Sequence, residues 1–282
     1  MAARFAYLRG NRGLVVLLKV MHKYARILST LIKTSFIAEL EFRANIALKI
    51  FNDFIWYFVQ ISIFEVLYSH TSQISGWSLG KIKVFLGCLF LADTINMIFY
   101  HENLEQLSER VQKGDLDLVL AKPVSSQFML SFYCLHPSYF FNFFICLAWL
   151  LYMLYQELQT FHPVIILKVL ILTLCANVIM YSMRFMVVSL AITLGRAENL
   201  AQLWYSLFRM SLRPDFVYPT WLRYTLLFVL PLGFVASVPA HILLGVRSDE
   251  WLFLAIILSL CLLALSSFFW KRILKHYSSA SS

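Results

Sequence analysis

A chain of 282 residues that is 60% hydrophobic and only 14% charged has more apolar surface than a soluble core hides, because soluble domains carry about 25% charge. The net charge of +9 does not point to nucleic acid. The basic residues flank apolar runs and no nucleic-acid-binding module accompanies them, so membrane orientation and anionic lipid account for them. The five cysteines, Cys88, Cys134, Cys146, Cys175 and Cys261, all lie in apolar stretches and form no C-x-x-C pair. They read as small core thiols, not as a metal site or a disulfide framework.

In chain order, residues 1–13 form a basic, Gly-containing tail. The patch Leu14–Leu18 is too short for the core of a signal peptide and runs into Lys19, Lys23 and Arg26, so no cleaved leader is expected. Leu17, Met21, Tyr24, Leu28 and Leu31 then recur in steps of four and three, with Lys19, Lys23, Arg26, Thr30 and Lys33 opposite. This predicts a helix with one oily stripe and one cationic face. It lies either in the membrane interface plane or along a protein surface. Residues 1–45 thus form an N-terminal interfacial unit, and 46–282 a transmembrane domain.

Six stretches are long and apolar enough to be read as spans, since about 20 residues of helix cross a bilayer core of roughly 30 Å. They cover about 46–69, 82–100, 127–155, 163–194, 198–211 and 251–270. Pro163 suits the first turn of the fourth. The fifth is short and carries Arg209. Pro214, Pro219, Pro231 and Pro239 divide 214–245 into two apolar pieces, each too short to cross. This predicts a re-entrant helical pair before the last span; the rival is a single fifth crossing over 221–238, kinked at Pro231. The expected fold is therefore an all-α membrane protein of six transmembrane helices. Basic residues cluster before the first span, in 102–126, at Arg196 and after the last span. These segments share the cytoplasmic side, which places both termini inside.

Several chemistries are absent from the sequence. It has no G-x-x-x-x-G-K-[ST] phosphate loop, no H-E-x-x-H and no G-x-S-x-G, so neither ATP hydrolysis nor a hydrolytic site is expected in this chain. The seven histidines lack metal-ligand spacing. No catalytic, cofactor or metal residue is assigned. Asp53, Asp93 and Arg184 fall inside apolar helices, where an unpaired charge costs roughly 2.5–3.5 kcal/mol. They must face protein or water, as pathway contacts or as structural ion pairs. Glu65 and Lys168 lie near span ends, where they can snorkel.

The polar segment 102–126 carries the most specific pattern. Leu104, Leu107 and Val111 lie on one side of a short helix, with Glu105, Glu109 and Arg110 on the other. Gly114 ends the helix in a left-handed turn, and Lys122-Pro123 sets an extended entry into the third span. Gly114-Asp115-Leu116-Asp117 through Leu120 and Lys122-Pro123-Val124 resembles the cytoplasmic signature of permease subunits of the ABC type-2 transporter superfamily, nearest to a bacterial branch of exporter permeases. Leu194-Gly195-Arg196-Ala197-Glu198, the Pro219, Arg223, Pro231 and Pro239 series, and Trp270-Lys271-Arg272 followed by His276-Tyr277-Ser278 extend the resemblance in order over nearly the whole chain. Lys122, where arginine is more usual, and the long basic N-terminal extension depart from the pattern.

The resemblance implies a connecting helix at the N-terminus and a coupling helix at 102–113 seated on a separate ATP-binding subunit that holds ATP and magnesium. It also implies re-entrant helices capping the exit, and a second permease chain, identical or not, facing this one in the bacterial inner membrane. The residues it assigns to coupling are Leu104, Leu107, Glu109, Arg110, Gly114, Asp115, Asp117, Lys122 and Pro123. The function it implies is that of the membrane subunit of an ATP-driven exporter of unknown substrate; the aromatic, apolar character of the chain itself suggests an amphiphilic or lipid-linked cargo. The residues alone leave two other readings open. One is a non-transporting membrane scaffold or sensor; the other is a transporter driven by an ion gradient, a class that tends to show matched broken helices in internal repeats.

Overall fold

The computed structural model describes residues 2–41, 43–159, 162–194 and 197–277. Among them the chain is helical, with no strand beyond a single bridge between Ile74 and Trp77. Helix α1 runs Ala2–Glu41, taking in most of the segment expected as a tail, and α2 runs Arg43–Ser69. Helix α3, Leu79–Phe99, opens on the Ser78 hydroxyl, which accepts from the Lys81 N–H at 3.3 Å. Three short helices follow: α4 His101–Glu105, α5 Leu107–Gln112 and α6 Leu116–Leu120. Then come α7 Ser126–Phe132, α8 Tyr139–Leu158, α9 Pro163–Ser189, α10 Ala191–Leu194 and α11 Ala197–Phe208. The last helices are α12 Thr220–Tyr224, α13 Ser237–Leu243 and α14 Glu250–Ile273.

Helix α3 is the axis of the fold. It is buried along most of its length and packs against α2, α8, α9 and α13, while α9 carries α14 and α11 on its other sides. Gly87 sets the approach of α3 to α8: a Cβ there would meet Leu150 Cδ1 at 2.8 Å. By contrast α2, α8 and α14 are mostly exposed apolar surface, the pattern of helices that meet lipid, where no water drives side chains inward.

Five helices among the described residues are long and apolar enough to cross a membrane: Arg43–Ser69, Leu79–Phe99, Tyr139–Leu158, Pro163–Leu194 and Glu250–His276. The expected fifth crossing at 198–211 is not one of them. Helix α11 has 12 residues, about 18 Å of rise, and tightens into a 3-10 turn at Arg209–Leu212. No continuous helix covers the rival crossing at 221–238 either. A π-helical turn at Thr225–Val229 ends at Pro231, whose missing N–H cannot extend it, and a 3-10 turn leads into α13. Pro239 is tolerated because it lies in the first turn of α13.

The third expected span, 127–155, is two helices rather than one. Pro137 stops a continuous helix, and the chain bends over residues 133–138 between α7 and α8. The freed backbone groups are satisfied from three directions. The Cys134 N–H donates to Asn103 Oδ1 at 2.9 Å, and Asn103 Nδ2 donates to the Cys134 carbonyl at 2.5 Å. The Leu135 N–H donates to Ser35 Oγ at 3.1 Å, the His136 N–H to the Ile98 carbonyl at 3.0 Å, and the Ser138 N–H to Glu39 Oε2 at 2.8 Å. Asn103, 2% exposed, therefore stands in for a missing strand of backbone. Replacing it with alanine is expected to lower stability by about 1–3 kcal/mol, because a buried donor and acceptor lose their partners together. Denaturant titration of the purified protein measures this; an unchanged midpoint would show that the bend does not depend on Asn103.

Helix α1 lies along this bend. Lys23 Nζ donates to the Pro123 carbonyl at 2.6 Å, the Ser125 N–H donates to the Tyr24 hydroxyl at 3.1 Å, and Tyr24 meets Phe128 edge-on at 4.9 Å. Lys23 thus leaves the cationic face expected for it, and the face carrying Tyr24, Ile27 and Ser35 packs on the chain itself.

Candidate functional site

The three charges expected inside the apolar helices converge. Asp53 on α2, Asp93 on α3 and Arg184 on α9 line one cavity of about 600 Å³, closed on its fourth side by Trp204, Tyr205 and Arg209 from α11 and the turn after it. A cavity of this size lies within the range of small-molecule sites, roughly 300–1,000 Å³. No direct ion pair joins the three charges among the described residues. Asn96 Nδ2 donates to Asp93 Oδ1 at 3.3 Å, and Arg184 Nη1 donates to Asn96 Oδ1 at 3.5 Å, so an amide separates carboxylate from guanidinium. Asp53 Oδ2 accepts from Asn142 Nδ2 at 2.7 Å. The expectation of a structural ion pair is therefore not met; each charge is held by neutral donors or acceptors.

Arg184 also reaches the short helices. Its Nη1 donates to His101 Nδ1 at 2.9 Å, and His101 Nε2 faces Glu105 Oε2 at 3.2 Å. The Tyr205 hydroxyl donates to Glu105 Oε1 at 3.1 Å. Burial, reinforced by the Arg184 charge, holds the His101 pKa below its ordinary value. The geometry agrees: a neutral ring accepts at Nδ1 and donates from Nε2. The bond from His101 pulls the Glu105 carboxyl down to about 2, helped by Tyr205 and Arg184. Both ends of α4 are thereby tied to the cavity wall, His101 to α9 and Glu105 to α11. Sequence reading missed Asn96, His101 and Tyr205. The only local signal was the three-residue step from Asp93 to Asn96, which places both on one helix face.

The segment expected to dock a partner splits into two layers. Leu104 and Leu107 are fully buried, with Val111, Leu116 and Val119 beside them. They fix the segment to its own core and are not available to another chain. Arg110 is also engaged, stacked 4.9 Å over the Tyr133 ring and donating to Gln106 Oε1 at 3.2 Å. Gly114 has φ +77°, and the Asp115 N–H closes the turn on the Arg110 carbonyl at 3.0 Å. This positive φ favours glycine. Asp117 lies beside the Tyr277 phenol. Glu109, Asp115, Leu118, Lys122 and Pro123 face outward. Lys122 lies 5.8 Å from the Tyr133 ring, and Glu109 pairs with Lys113 at 2.5 Å. Leu118, 69% exposed, is the more exposed of the two leucines, Leu118 and Leu120, that α6 presents.

A second ionic cluster joins α1 and α2 to α4 through the bend. His136 Nδ1 lies 3.0 Å from Glu39 Oε1 and its Nε2 lies 2.5 Å from Glu102 Oε2, with Lys49 3.7 Å from Glu39. Burial works against the charged imidazole, but the bonds to Glu102 and Glu39 outweigh it and raise the His136 pKa. Carboxylates stand at both nitrogens, which favours the charged ring.

At the opposite end of α3, Asp215 is buried among cations. Its Oδ2 is 3.3 Å from Arg247 Nη2 and 3.7 Å from Arg223 Nε, and its Oδ1 is 3.9 Å from His241 Nε2. Its N–H donates to Ser237 Oγ at 3.1 Å. Trp77, just before α3, packs on Phe216 and His241 with ring centroids 5.5 and 4.8 Å apart. Glu65 and Lys168 do not simply snorkel: they pair with Lys83 at 2.9 Å and Asp249 at 2.6 Å. The Gly195-Arg196 break and Ser278 lie outside the described residues.

Five helices long and apolar enough to cross a membrane, three of them mostly exposed around the buried α3, give the architecture of a multi-pass membrane protein. A family model described as ABC-2 family transporter protein matches residues 54–281, and the chain belongs to that family as a membrane permease. Neither the curated proteins nor the solved structures gave a match.

Proposed function

We propose that this chain is the membrane subunit of an ATP-driven exporter, coupling hydrolysis by a separate ATP-binding subunit to movement of a cargo through the cavity that Asp53, Asp93 and Arg184 line. One observation carries the reading: α4 is bonded at both ends to the cavity wall, through His101 to Arg184 and through Glu105 to Tyr205. A push on the outward face of α5 and α6 has a short, rigid route to α9 and α11. The family membership supports the pairing with an ATP-binding subunit. The outward residues Glu109, Asp115, Leu118, Lys122 and Pro123 would form the docking face, with Leu104, Leu107, Arg110, Gly114 and Asp117 shaping it from behind. ATP and magnesium would belong to the partner.

In this reading α4–α6 and both termini face the cytoplasm of a bacterial cell, and a second permease chain completes the pathway. A sixth passage is supplied by residues 197–216. The α10–α11 region touches α5 at one end of α3, and Phe216 touches Trp77 at the other. Helix, 3-10 turns and the extended Arg213-Pro214 link between them rise about 30 Å over these residues, enough to cross. The α12 and α13 pieces then dip in and return on the outer side as re-entrant helices. Cysteine labelling tests the topology in a background without native cysteines. Ser72→Cys is expected to react with an impermeant reagent from outside and Lys113→Cys only from inside. Reversed labelling would overturn the orientation.

A further inference from the structure

We propose that the cavity between α2, α3, α9 and α11 binds a zwitterionic headgroup, its cation toward Asp53 and Asp93 and its acidic group toward Arg184 and Arg209. The proposal rests on the exporter reading only for the statement that the cavity lies on the cargo's path.

Arg184 is 2% exposed, yet among the described residues its hydrogen bonds go to the neutral side chains of Asn96 and His101 and it has no carboxylate partner. Its Nε is buried without a hydrogen-bond partner. A buried guanidinium ordinarily has an anion beside it, because desolvation of the charge is otherwise uncompensated. The two carboxylates that line the same cavity hold amides rather than cations. Both signs of charge therefore face the same space without closing on each other. A purely anionic ligand would meet two carboxylates there, and a purely cationic one would meet two guanidiniums. A group carrying both charges satisfies each wall. Trp56, Trp204 and Tyr205 add aromatic faces, which attract an ammonium, and Ile55, Val59 and Leu212 offer apolar wall for an attached chain.

The shared chemistry is the zwitterion, whether carried on a lipid or free in solution. The experiment uses the purified permease alone in nanodiscs of phosphatidylglycerol. Labelled lysophosphatidylcholine is compared with lysophosphatidate and an alkyltrimethylammonium of the same chain length, and with chainless glycerophosphocholine. Saturable binding of the zwitterionic lipid at least about tenfold tighter than either singly charged lipid is expected, equivalent to about 1.4 kcal/mol. Glycerophosphocholine binding as tightly as its lipid assigns the site to a soluble zwitterion; weaker binding assigns it to a lipid headgroup. Arg209→Gln, at an exposed position, is expected to reduce the preference over the cationic lipid, and Asp53→Asn the preference over the anionic one, Arg184 and Asp93 keeping the remainder. Equal binding of all three lipids, or selectivity unchanged in both variants, would overturn the proposal. Because no ATPase takes part, a failure here leaves the coupling reading intact, and a failure of coupling leaves this one intact.

Discussion

Leu118→Asp is expected to detach the permease from its ATP-binding subunit while leaving the permease folded. Leu118 contributes little to its own chain's packing, being 69% exposed on the face of α6, so the substitution falls in the surface class whose effect on stability is within about 0.5 kcal/mol. If the face is buried against a partner, the introduced carboxylate is desolvated and an apolar anchor is lost together. Central interface residues of this kind are worth about 2 kcal/mol or more, or roughly thirtyfold in affinity. Copurification and stimulation of ATP hydrolysis should both fall by about that factor. Glu109→Ala, which removes an exposed charge paired to Lys113, should do less. Arg110→Ala is the poorer probe, because it also removes the stacking on Tyr133. Full copurification of the Leu118→Asp variant would show that this face does not carry the partner.

The second large effect is on stability. Asp215 is buried and collects Arg223, Arg247 and His241. Its removal leaves cations packed together without a counter-charge. Breaking a buried ion pair on one side costs about 3–5 kcal/mol, and the partial exposure of Arg223 argues for the lower end. Asp215→Ala should therefore lose about 3 kcal/mol in denaturant unfolding. Pairing Asp215→Leu with Arg247→Met should recover part of that loss, since it removes the more buried of the two guanidiniums and leaves only the more exposed Arg223 without its carboxylate. A loss under about 0.5 kcal/mol for Asp215→Ala would mean the cluster is solvated and does not hold the outer segments together. The same cluster accounts for two arginines, Arg223 and Arg247, that lie on the side opposite the cytoplasmic basic clusters. They share the single carboxylate of Asp215, and Arg213 lies exposed near them in sequence.

The parts of this fold readable from sequence are those set by local pattern. Runs of apolar residues gave α2, α3, α9 and α14, because length and hydropathy alone decide whether a helix suits a bilayer. Prolines marked where 214–245 would break. The bend at Pro137 was hidden: its flanks are apolar, and the groups that satisfy it, Ser35, Glu39, Ile98 and Asn103, come from 31 to 100 residues away. The polar segment illustrates the same limit. Its alternation of Leu104 and Leu107 with charged residues was legible, but the pattern cannot say whether an oily face meets its own core or another protein. Here it meets the core. For the intramembrane charges, sequence showed that Asp53, Asp93 and Arg184 needed partners. Only the fold shows that they share one cavity, and that neutral side chains, Asn96, Asn142 and His101, rather than opposite charges hold them.

Under the proposed function, the energy for transport comes from a partner and travels through α4 to the cavity. The most direct test follows a cysteine at Asn52, which lines the cavity, in vesicles containing the permease with its ATP-binding subunit and no other native cysteine. Addition of ATP should change the reactivity of that cysteine toward a water-soluble thiol reagent, and Leu118→Asp should abolish the change. A cavity that responds to an imposed proton or sodium gradient with no ATPase present, and is indifferent to ATP, would contradict the claim.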